Sequence, residues 1–528
     1  QFRNDSTRTG AFGGGLLLNP GALRFVAVDD GDRPQPVPGS PAVGADGTIY
    51  AASLGGTIKA FAADDLTTRW SASSCPACCP TGAPVGCDPS LGPMVSSPAL
   101  FRDFDDNTNL LIADLGGRVY RFSFIEEDDN PAPACVACFA PDLSADLPPG
   151  ATASFRSSPT VTFNAVTGSL AAILIGAEIR SDPAGEPDAG KLYAINADGT
   201  PRWQYPARGQ GVVGPVSASP SLGLGQSVVF ADGNDVLYIL TRNGALRRQV
   251  SVSGLAAGDG FLQPSVVSSA SLLVGTSLGD VYAFNQDGTF RWSTRLENRS
   301  FLGSLAVGIK SDPTPTPEPT GAEGTPTETP TPDPNVPTPT PSPTPTTSFE
   351  FSTVVGVTGG GEVVFLDSNT GEVVQAGYPG TPPEAGVRVL GSPALSFDAL
   401  VAYASDDGSI YNVDSGSGQP PRFCVGAGST ICSTDADCPD DDRCDEPVWP
   451  VRIPARCTAS ANVGAICTAD ADCPGATCRR ALIRSSPAID DRGNIIVGAD
   501  DGYLYLVGAT GTPARTATPT PTPAAAAR

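Results

Sequence analysis

Short apolar runs separated by Gly- and Asp-containing turns recur along the whole chain. Thr48–Ala52 is followed, after a Gly-containing turn, by Thr57–Phe61, and Ile495–Gly498 is followed in the same way by Tyr503–Val507. The second member of each pair alternates apolar and polar residues with a period of two, which indicates half-buried β-strands joined as hairpins. The pattern therefore predicts an all-β protein.

A start motif that reads Ser-Pro-Ala in its clearest copies precedes each of these strand pairs. Several units then close with a turn and a Trp-bearing strand, as at Gly199 before Trp203 and Gly288 before Trp292. Self-similarity at this period is typical of repeat architectures. The eight starts are Gly39–Val43, Ser96–Leu100, Ser157–Val161, Ser219–Leu222, Gln263–Val266, Gly303–Val307, Gly391–Leu395 and Ser485–Ile489.

This order of motifs resembles the pyrroloquinoline-quinone (PQQ)-like β-propeller repeat, the family that includes the quinoprotein alcohol dehydrogenases. The resemblance covers residues 22–510 apart from two insertions. It implies an eight-bladed β-propeller with four-stranded blades. Seven blades is the fallback if the weak unit at Gln263 or Gly303 merges with its neighbour.

The two ends of the repeat region are complementary. The last unit stops after Val507 without a Trp-type strand, whereas Ala22–Val28 is β-rich but belongs to no unit of its own. We expect this N-terminal strand to complete the last blade and close the ring, which removes a sheet edge.

Two insertions interrupt the repeats. Pro313–Thr347, in the sixth unit, consists mostly of Pro and Thr, a composition that favours an extended polyproline II stalk. Phe423–Arg480 carries eight cysteines in two related copies that share Asp-Ala-Asp-Cys-Pro, which indicates a duplicated module with two disulfides in each copy. Four cysteines allow three pairings, and the sequence does not choose among them.

Both ends of the chain extend beyond the repeats. Residues 1–21 include three glycines followed by Leu16, Leu17 and Leu18, which either pack on their own ring or dock on a neighbouring subunit by strand addition. Residues 511–528 form a second Thr/Pro-rich tail.

Charge and composition exclude several classes of function. The net charge is −24, which disfavours nucleic acid and anionic lipid as partners. The chain has no histidine, which excludes Ser-His-Asp and Cys-His catalysis and His-ligated zinc. No apolar stretch is long enough for a membrane helix, so we expect no membrane span.

The cysteine pattern favours export. Fourteen cysteines, an even number, fall in tight clusters, which is typical of disulfides formed in an oxidising compartment. We therefore expect a secreted or cell-surface glycoprotein, with candidate glycosylation sites at Asn4, Asn298, Thr314, Thr316, Thr338, Thr340 and Thr344. The candidate disulfide cysteines are Cys75, Cys78, Cys79, Cys87, Cys135, Cys138, Cys424, Cys432, Cys438, Cys444, Cys457, Cys467, Cys473 and Cys478.

The resemblance raises one enzymatic hypothesis. Quinoprotein dehydrogenases hold a quinone and calcium in the central funnel, and in several of them a disulfide between adjacent cysteines stacks on the quinone. Cys78 and Cys79 are adjacent here, but they lie in a cluster of four cysteines, and the calcium ligands and catalytic Asp of the family have no recognisable counterpart. The Cys75/Cys78 and Cys135/Cys138 pairs have the spacing of a four-thiolate zinc site, although in an exported chain disulfides are favoured.

These observations favour a non-catalytic propeller with no cofactor and no metal. We expect an extracellular structural or surface-assembly glycoprotein that self-associates into filaments or binds cell-surface components. Three alternatives stay open: a PQQ-dependent dehydrogenase, a monomeric adhesin or ligand-binding propeller, and a protein resembling the family's envelope-assembly scaffold lipoprotein. Gln1, where a lipidated cysteine would stand, weakens the last of these.

Overall fold

The fold consists of antiparallel β-sheets joined by turns, and the described residues include short 3-10 turns at Pro76–Cys78, Leu224–Gln226 and Asp470–Asp472. No helix among the described residues is long and apolar enough to cross a membrane. The computed structural model describes residues 22–30, 34–79, 87–103, 107–125, 133–163, 170–251, 265–266, 271–297, 299–308, 353–378, 386–396, 400–414, 420, 422–423, 431–432, 438, 444, 449–458 and 465–508.

The described strands are numbered in chain order. They are Ala22–Ala27 (β1), Ala42–Val43 (β2), Ile49–Ala52 (β3), Ile58–Phe61 (β4), Thr68–Ala72 (β5), Ala99–Arg102 (β6), Thr108–Ala113 (β7), Val119–Phe124 (β8), Ala134–Phe139 (β9), Thr152–Ser154 (β10), Thr160–Phe163 (β11), Leu170–Arg180 (β12), Ala189–Ile195 (β13), Pro201–Tyr205 (β14), Ser221–Leu222 (β15), Val228–Ala231 (β16), Val236–Leu240 (β17), Leu246–Ser251 (β18), Ser265–Val266 (β19), Ser271–Gly275 (β20), Asp280–Asn285 (β21), Phe290–Arg295 (β22), Ala306–Gly308 (β23), Thr353–Val357 (β24), Val363–Asp367 (β25), Val373–Gly377 (β26), Ala394–Leu395 (β27), Leu400–Ala404 (β28), Ser409–Asp414 (β29), Arg422–Phe423 (β30), Ile431–Cys432 (β31), Val451–Arg452 (β32), Ala455–Cys457 (β33), Ile466–Cys467 (β34), Cys478–Arg480 (β35), Ala488–Ile489 (β36), Ile495–Gly498 (β37) and Tyr503–Gly508 (β38).

Most of these described strands belong to eight sheets, of which seven have four strands and one has five. Each of the eight sheets contains one of the repeat starts as an edge strand. Strands that follow one another pair antiparallel in most of these sheets, which are meanders, whereas β10 and β11 both pair with β12, and β1 pairs with β38. Sheet 1 is β2 to β5, sheet 2 is β6 to β9, sheet 3 is β10 to β14, sheet 4 is β15 to β18, sheet 5 is β19 to β22, sheet 6 is β23 to β26, sheet 7 is β27, β28, β29 and β32, and sheet 8 is β36, β37, β38 and β1.

The hydrophobic core is divided among the spaces between neighbouring sheets. Leu400, Ala402 and Ala404 pack towards sheet 8, while the alternate residues Val401 and Tyr403 of the same strand pack towards sheet 6. Similar clusters fill all the remaining spaces between consecutive sheets, including the space between sheet 8 and sheet 1. The sheets therefore form a closed ring.

The prediction that the alternating strands are half-buried was wrong for the inner strands. Every residue of β3 and β4 is buried, including Lys59, which is 3% exposed. The reason is the ring itself: each sheet lies between two others, so both of its faces are covered. Lys59 reaches the exposed Asp30 carboxylate at 2.5 Å, which keeps its buried charge paired.

The N-terminal strand closes the ring as predicted. β1 pairs antiparallel with β38, with Ala22 opposite Gly508 and Ala27 opposite Tyr503. The amide of Val37 also donates to the carbonyl of Ala499 at 3.0 Å, so the first connection of the ring is bonded to its last sheet. The two ends of the repeat region thus form one continuous sheet with no free edge between them.

Two of the repeated Trp residues connect one sheet to the next. The indole Nε1 of Trp203 donates to the carbonyl of Arg242 in the turn of sheet 4, and that of Trp292 donates to the carbonyl of Ser368 in the turn of sheet 6, both at 3.2 Å. Gly244, in the first of these turns, has a φ of 82°, and a Cβ there would lie 2.6 Å from the Trp203 ring. The recurring Gly and Trp therefore pack against each other across neighbouring sheets, with the Gly turn of one sheet on the Trp ring of the sheet before it.

The insertions leave the ring at connections between strands. Gly308 pairs with Thr353, so the chain around Pro313–Thr347 departs from and returns to adjacent strands of sheet 6. Val451–Arg452, which lies between the two Cys-rich copies, is the fourth strand of sheet 7. The two copies consequently occupy separate connections, one before and one after this strand, although the sequence suggested a single insertion from Phe423 to Arg480.

Candidate functional site

A ring of serine hydroxyls lines the centre of the molecule. These serines belong to the repeat starts, and except at Ser304 the hydroxyl accepts a hydrogen bond from the amide of the equivalent serine in the preceding sheet. All the distances are 2.8 or 2.9 Å. The bonded pairs, with the amide donor first, are Ser40 and Ser97, Ser97 and Ser158, Ser158 and Ser219, Ser304 and Ser392, Ser392 and Ser486, and Ser486 and Ser40.

The preceding serine of the Ser-Ser-Pro starts has a different role. The hydroxyl of Ser96 donates to the carbonyl of Ala113 and accepts from its amide, at 2.7 and 3.0 Å, and so binds within its own sheet. Ser485 makes the same pair of contacts with Gly498. Starts that have Gly instead are more tightly packed: a Cβ at Gly39 would lie 2.6 Å from the carbonyl oxygen of Ser96. The start motif thus connects neighbouring sheets by hydrogen bonds and close packing, a role that sequence reasoning missed.

A cavity of about 280 Å³ lies inside this ring. Its wall combines serines of the ring with apolar residues such as Val95, Leu302 and Leu390, and two cations, Arg156 and Arg484, line it from sheets 3 and 8. The side chains of these arginines are 50% and 47% exposed. The cavity can therefore present positive charge to a small ligand.

Each of these two arginines is held by an acid of its own sheet. Nε of Arg156 donates to Glu178 at 3.1 Å, and Nε of Arg484 donates to Asp500 at 2.8 Å. Burial raises the pKa of Glu178, and the charge and hydrogen bond of Arg156 oppose that rise. Because Nε donates to the acid in both cases, the planar guanidinium is held in one orientation, and its Nη atoms can donate to an anion.

The cysteine cluster of sheets 1 and 2 forms disulfides between sheets. Cys75 bonds Cys135 and Cys78 bonds Cys138, which joins the 3-10 turn after β5 to β9. Cys79 bonds Cys87 within its own loop. Cys78 and Cys79 are therefore not bonded to each other, and the adjacent disulfide that suggested a quinone is not formed. The same pairing uses the sulfurs of both C-x-x-C pairs, so no thiolate among them is available for zinc.

The second Cys-rich copy pairs its cysteines as first with third and second with fourth. The bonds are Cys457–Cys473 and Cys467–Cys478. The sulfurs of Cys457, Cys467 and Cys473 lie within 4.8 Å of one another, but all three are in disulfides and have no thiolate to offer a metal. In the first copy Cys438 and Cys444 are disulfide-bonded, whereas Cys424 and the side chain of Cys432 lie outside the described residues.

The remaining candidate residues also lie outside the described part of the chain. They are the docking candidates Leu16, Leu17 and Leu18 and the glycosylation candidates Asn4, Asn298, Thr314, Thr316, Thr338, Thr340 and Thr344.

Comparison with known proteins places the chain by fold alone. No family model and no curated protein matches it. Sqt1 from Chaetomium thermophilum is similar with a TM-score of 0.53 and 11% identity, covering 92% of this chain and 100% of that one. The same protein bound to the N-terminus of ribosomal protein L10 gives 0.51 and 10%, covering 92% and 98%. Sqt1 from Saccharomyces cerevisiae gives 0.50 and 10%, covering 94% and 100%. These are β-propeller proteins, and the predicted fold class is confirmed.

Proposed function

We propose that this chain is an exported, non-catalytic β-propeller that acts as an extracellular structural or surface-assembly glycoprotein and self-associates. The observation that carries the proposal is the use of its cysteines. All those whose side chains the structure describes are in disulfides, and two of the bonds fasten neighbouring sheets. Disulfides persist in oxidising compartments, which supports secretion or display at the cell surface.

We assign the repeat to the PQQ-like group because of the contacts that its motifs make between neighbouring sheets. The Ser-Pro start bonds one sheet to the next at the centre, and the Trp of one unit contacts the Gly turn of the following sheet. These are the residues on which the resemblance rests, and each has a repeated structural role. The membership that we propose concerns the architecture of the repeat.

A structural role is favoured over a dehydrogenase because the motif that pointed to a quinone has another function. Cys78 and Cys79 each bond a different partner, and the hydroxyls around the cavity take part in bonds between sheets. One of the similar structures, Sqt1, holds the N-terminus of another protein. By analogy, the segment N-terminal to the ring, residues 1–21, is the ligand that we propose for a second propeller.

The test is electron microscopy of the native secreted material, combined with intact mass spectrometry before and after enzymatic deglycosylation. Regular assemblies and a mass above the 53.7 kDa of the polypeptide, returning to it on deglycosylation, are the expected result. Unglycosylated monomers that carry a quinone mass and oxidise alcohols with calcium would overturn the proposal.

A second function, binding of a small anionic ligand in the central cavity, is favoured by Arg156 and Arg484. The matched test is calorimetric titration of a panel of carboxylates and sulfated sugars into the full chain and into Arg484→Gln. Arg492→Gln, which removes a cation outside the cavity, is the control. Binding that is lost only in Arg484→Gln would establish this function, and no heat with any ligand of the panel would reject it.

A further inference from the structure

The outermost strands of the ring differ in how they are protected. A free strand edge presents unpaired amides and carbonyls, and natural sheets guard it with charge or by covering it. In sheets 1, 3, 4, 5, 7 and 8 the outermost strand carries at least one arginine. These arginines are Arg69, Arg202, Arg247, Arg248, Arg291, Arg295, Arg452 and Arg24.

Two outermost strands lack charge, and one of these is covered. β9 of sheet 2 has the 3-10 turn Pro76–Cys78 lying against it, fastened by the Cys75–Cys135 and Cys78–Cys138 disulfides. Among the described residues, β26 of sheet 6 has no such cover and pairs with β25 alone. Val373 is 44% exposed and Val374 67% exposed. Among the described outermost strands, β26 is therefore the apolar edge that is left open.

We propose that β26 accepts the segment Gly13–Leu18 of a second copy of this chain as an added strand. The inference rests on the self-association proposed above and identifies the surface responsible. The segment is uncharged and apolar, like β26, and it is about the length of the five-residue strand that it would extend. Backbone bonds along the edge would provide affinity, and the leucines would cover the exposed valines.

Chain reach requires the donor to be another copy. Three residues, Asn19 to Gly21, separate Leu18 from Ala22 at the start of β1, so the two Cα atoms lie at most about 14 Å apart. Sheet 7 lies between sheet 8, which contains β1, and sheet 6, which contains β26. Packed sheets are about 10 Å apart, so β1 and β26 are separated by at least roughly 20 Å at the rim. Leu18 therefore cannot lie along β26 of its own ring.

The geometry of such a contact is head-to-tail. The donor segment leaves from sheet 8 and the acceptor is sheet 6, so each copy that donates its segment still offers its own open edge. Repetition of a heterologous contact of this kind extends an assembly instead of closing it.

The first test is the full chain with Val374→Lys, studied by sedimentation velocity over a range of concentrations. A lysine restores the charge that the other edges have, and we expect association to weaken about tenfold or more. Val373→Lys is a second variant with the same expectation. The matched control is Leu246→Lys on β18. Leu246 is 45% exposed and lies on an edge that already carries arginines, so this variant should associate as strongly as the unaltered chain. Circular dichroism melting verifies that each variant is folded.

The second test separates this inference from the function on which it rests. A synthetic peptide of residues 10–21 is titrated into the full chain carrying Leu17→Asp, which disables the donor, with and without Val374→Lys. If the peptide binds and Val374→Lys abolishes the binding, β26 is supported as the acceptor. If the native chain is nevertheless monomeric, only the proposed self-association is refuted. If the native chain assembles and Val374→Lys assembles equally well, the acceptor is wrong and the proposed function stands. If the chain is monomeric and the peptide does not bind, both are wrong.

Discussion

The amide of Ser486 donates a hydrogen bond to the hydroxyl of Ser40 at 2.9 Å, across 446 residues of sequence. This bond repeats, at the junction of the two chain ends, the contact that Ser40 makes with Ser97 and Ser97 with Ser158. The junction is thus built like the other joints of the ring, and it is also supported by β1 on the outside of sheet 8. Stability of the ring should depend on this joint as on any other.

We expect Ser40→Ala to destabilise the chain by about 1 kcal/mol, because the amide of Ser486 loses its partner in a partly buried setting. Ser217→Ala is the control, since Ser217 lines the same cavity but takes no part in the ring of serine bonds. The midpoint of urea unfolding, followed by tryptophan fluorescence, measures both. Equal midpoints for the two variants would show that the serine ring contributes nothing to stability.

We expect Lys191→Met to be far more damaging than Arg208→Met. Lys191 is 1% exposed and lies 3.1 Å from the carboxylate of Asp146, whose side chain is fully buried. Loss of the lysine would leave a buried carboxylate without its cation, at a cost of about 3–5 kcal/mol. The Arg208–Asp142 pair is 62% and 57% exposed, and its loss should cost less than about 1 kcal/mol. Denaturant unfolding of both variants measures the difference.

The same pair gives a dependence on acid. Burial acts to raise the pKa of Asp146, but the hydrogen bond and charge of Lys191 and the amides of Gly211 and Gly209 outweigh it, and the pKa lies below its ordinary value. The stabilisation is therefore present above the pKa of the unfolded chain and is lost as pH falls through the lower pKa of the folded chain. We expect the stability gap between the native chain and Lys191→Met to narrow at such acid pH. A gap that stayed constant on acidification would contradict this assignment.

Asp490 should show the opposite dependence on pH. Burial raises its pKa, an effect that hydrogen bonds from Asn494 and Arg492 only partly offset. A carboxyl with a raised pKa in the folded chain contributes stability at low pH that is lost as pH rises from about 4 through the raised value. Relative to Asp490→Asn, the native chain should therefore become less stable as pH increases across this range. Unfolding free energies of the two chains at several pH values measure the change, and a trend in the other direction would show that the bonds outweigh burial.

We expect Arg456→Lys to weaken the contact between the second Cys-rich copy and the closing sheet. The guanidinium of Arg456 lies 4.4 Å from the ring centre of Phe25 and 3.8 Å from that of Tyr503. Its Nε also donates to Asp501 at 3.1 Å. An ammonium group cannot at the same time stack on a ring and donate a hydrogen bond in this fixed geometry. We therefore expect the free energy of unfolding to fall by about 1–2 kcal/mol. Arg479→Lys, at an exposed position of the same small sheet, should leave the melting temperature unchanged.

The repeat starts, the propeller class and the closing strand followed from the sequence because each is a local pattern that recurs. The bonds of the serine ring did not, since the donor and acceptor of a joint such as Ser97 to Ser158 lie 61 residues apart and no local period relates them. The signal was nevertheless present, because seven of the eight starts carry a serine directly before the Pro or Leu position, and the fifth start has Gln263 there instead.

Other features were beyond local reasoning for physical reasons. The pairing Cys457–Cys473 depends on which sulfurs the fold brings together, and spacing alone permits three arrangements. Val451–Arg452 is a two-residue strand with no apolar period, and only its pairing with β29 reveals it. Arg156 and Arg484 did share a local signal, because each directly precedes a Ser-Ser-Pro start, but only the closed ring shows that this position lines the cavity.

Gly308 and Thr353 are cross-strand partners in sheet 6, so the chain leaves this sheet and re-enters it at opposed positions of neighbouring strands. Because the cost of closing a flexible loop rises only with the logarithm of its length, doubling such a segment changes the free energy of unfolding by just about 0.6 kcal/mol. Natural variation can therefore lengthen or shorten this segment with almost no penalty to the ring. The length of this insertion is then a quantity that evolution, or a designer inserting a tag or enzyme at this position, can adjust independently of the fold.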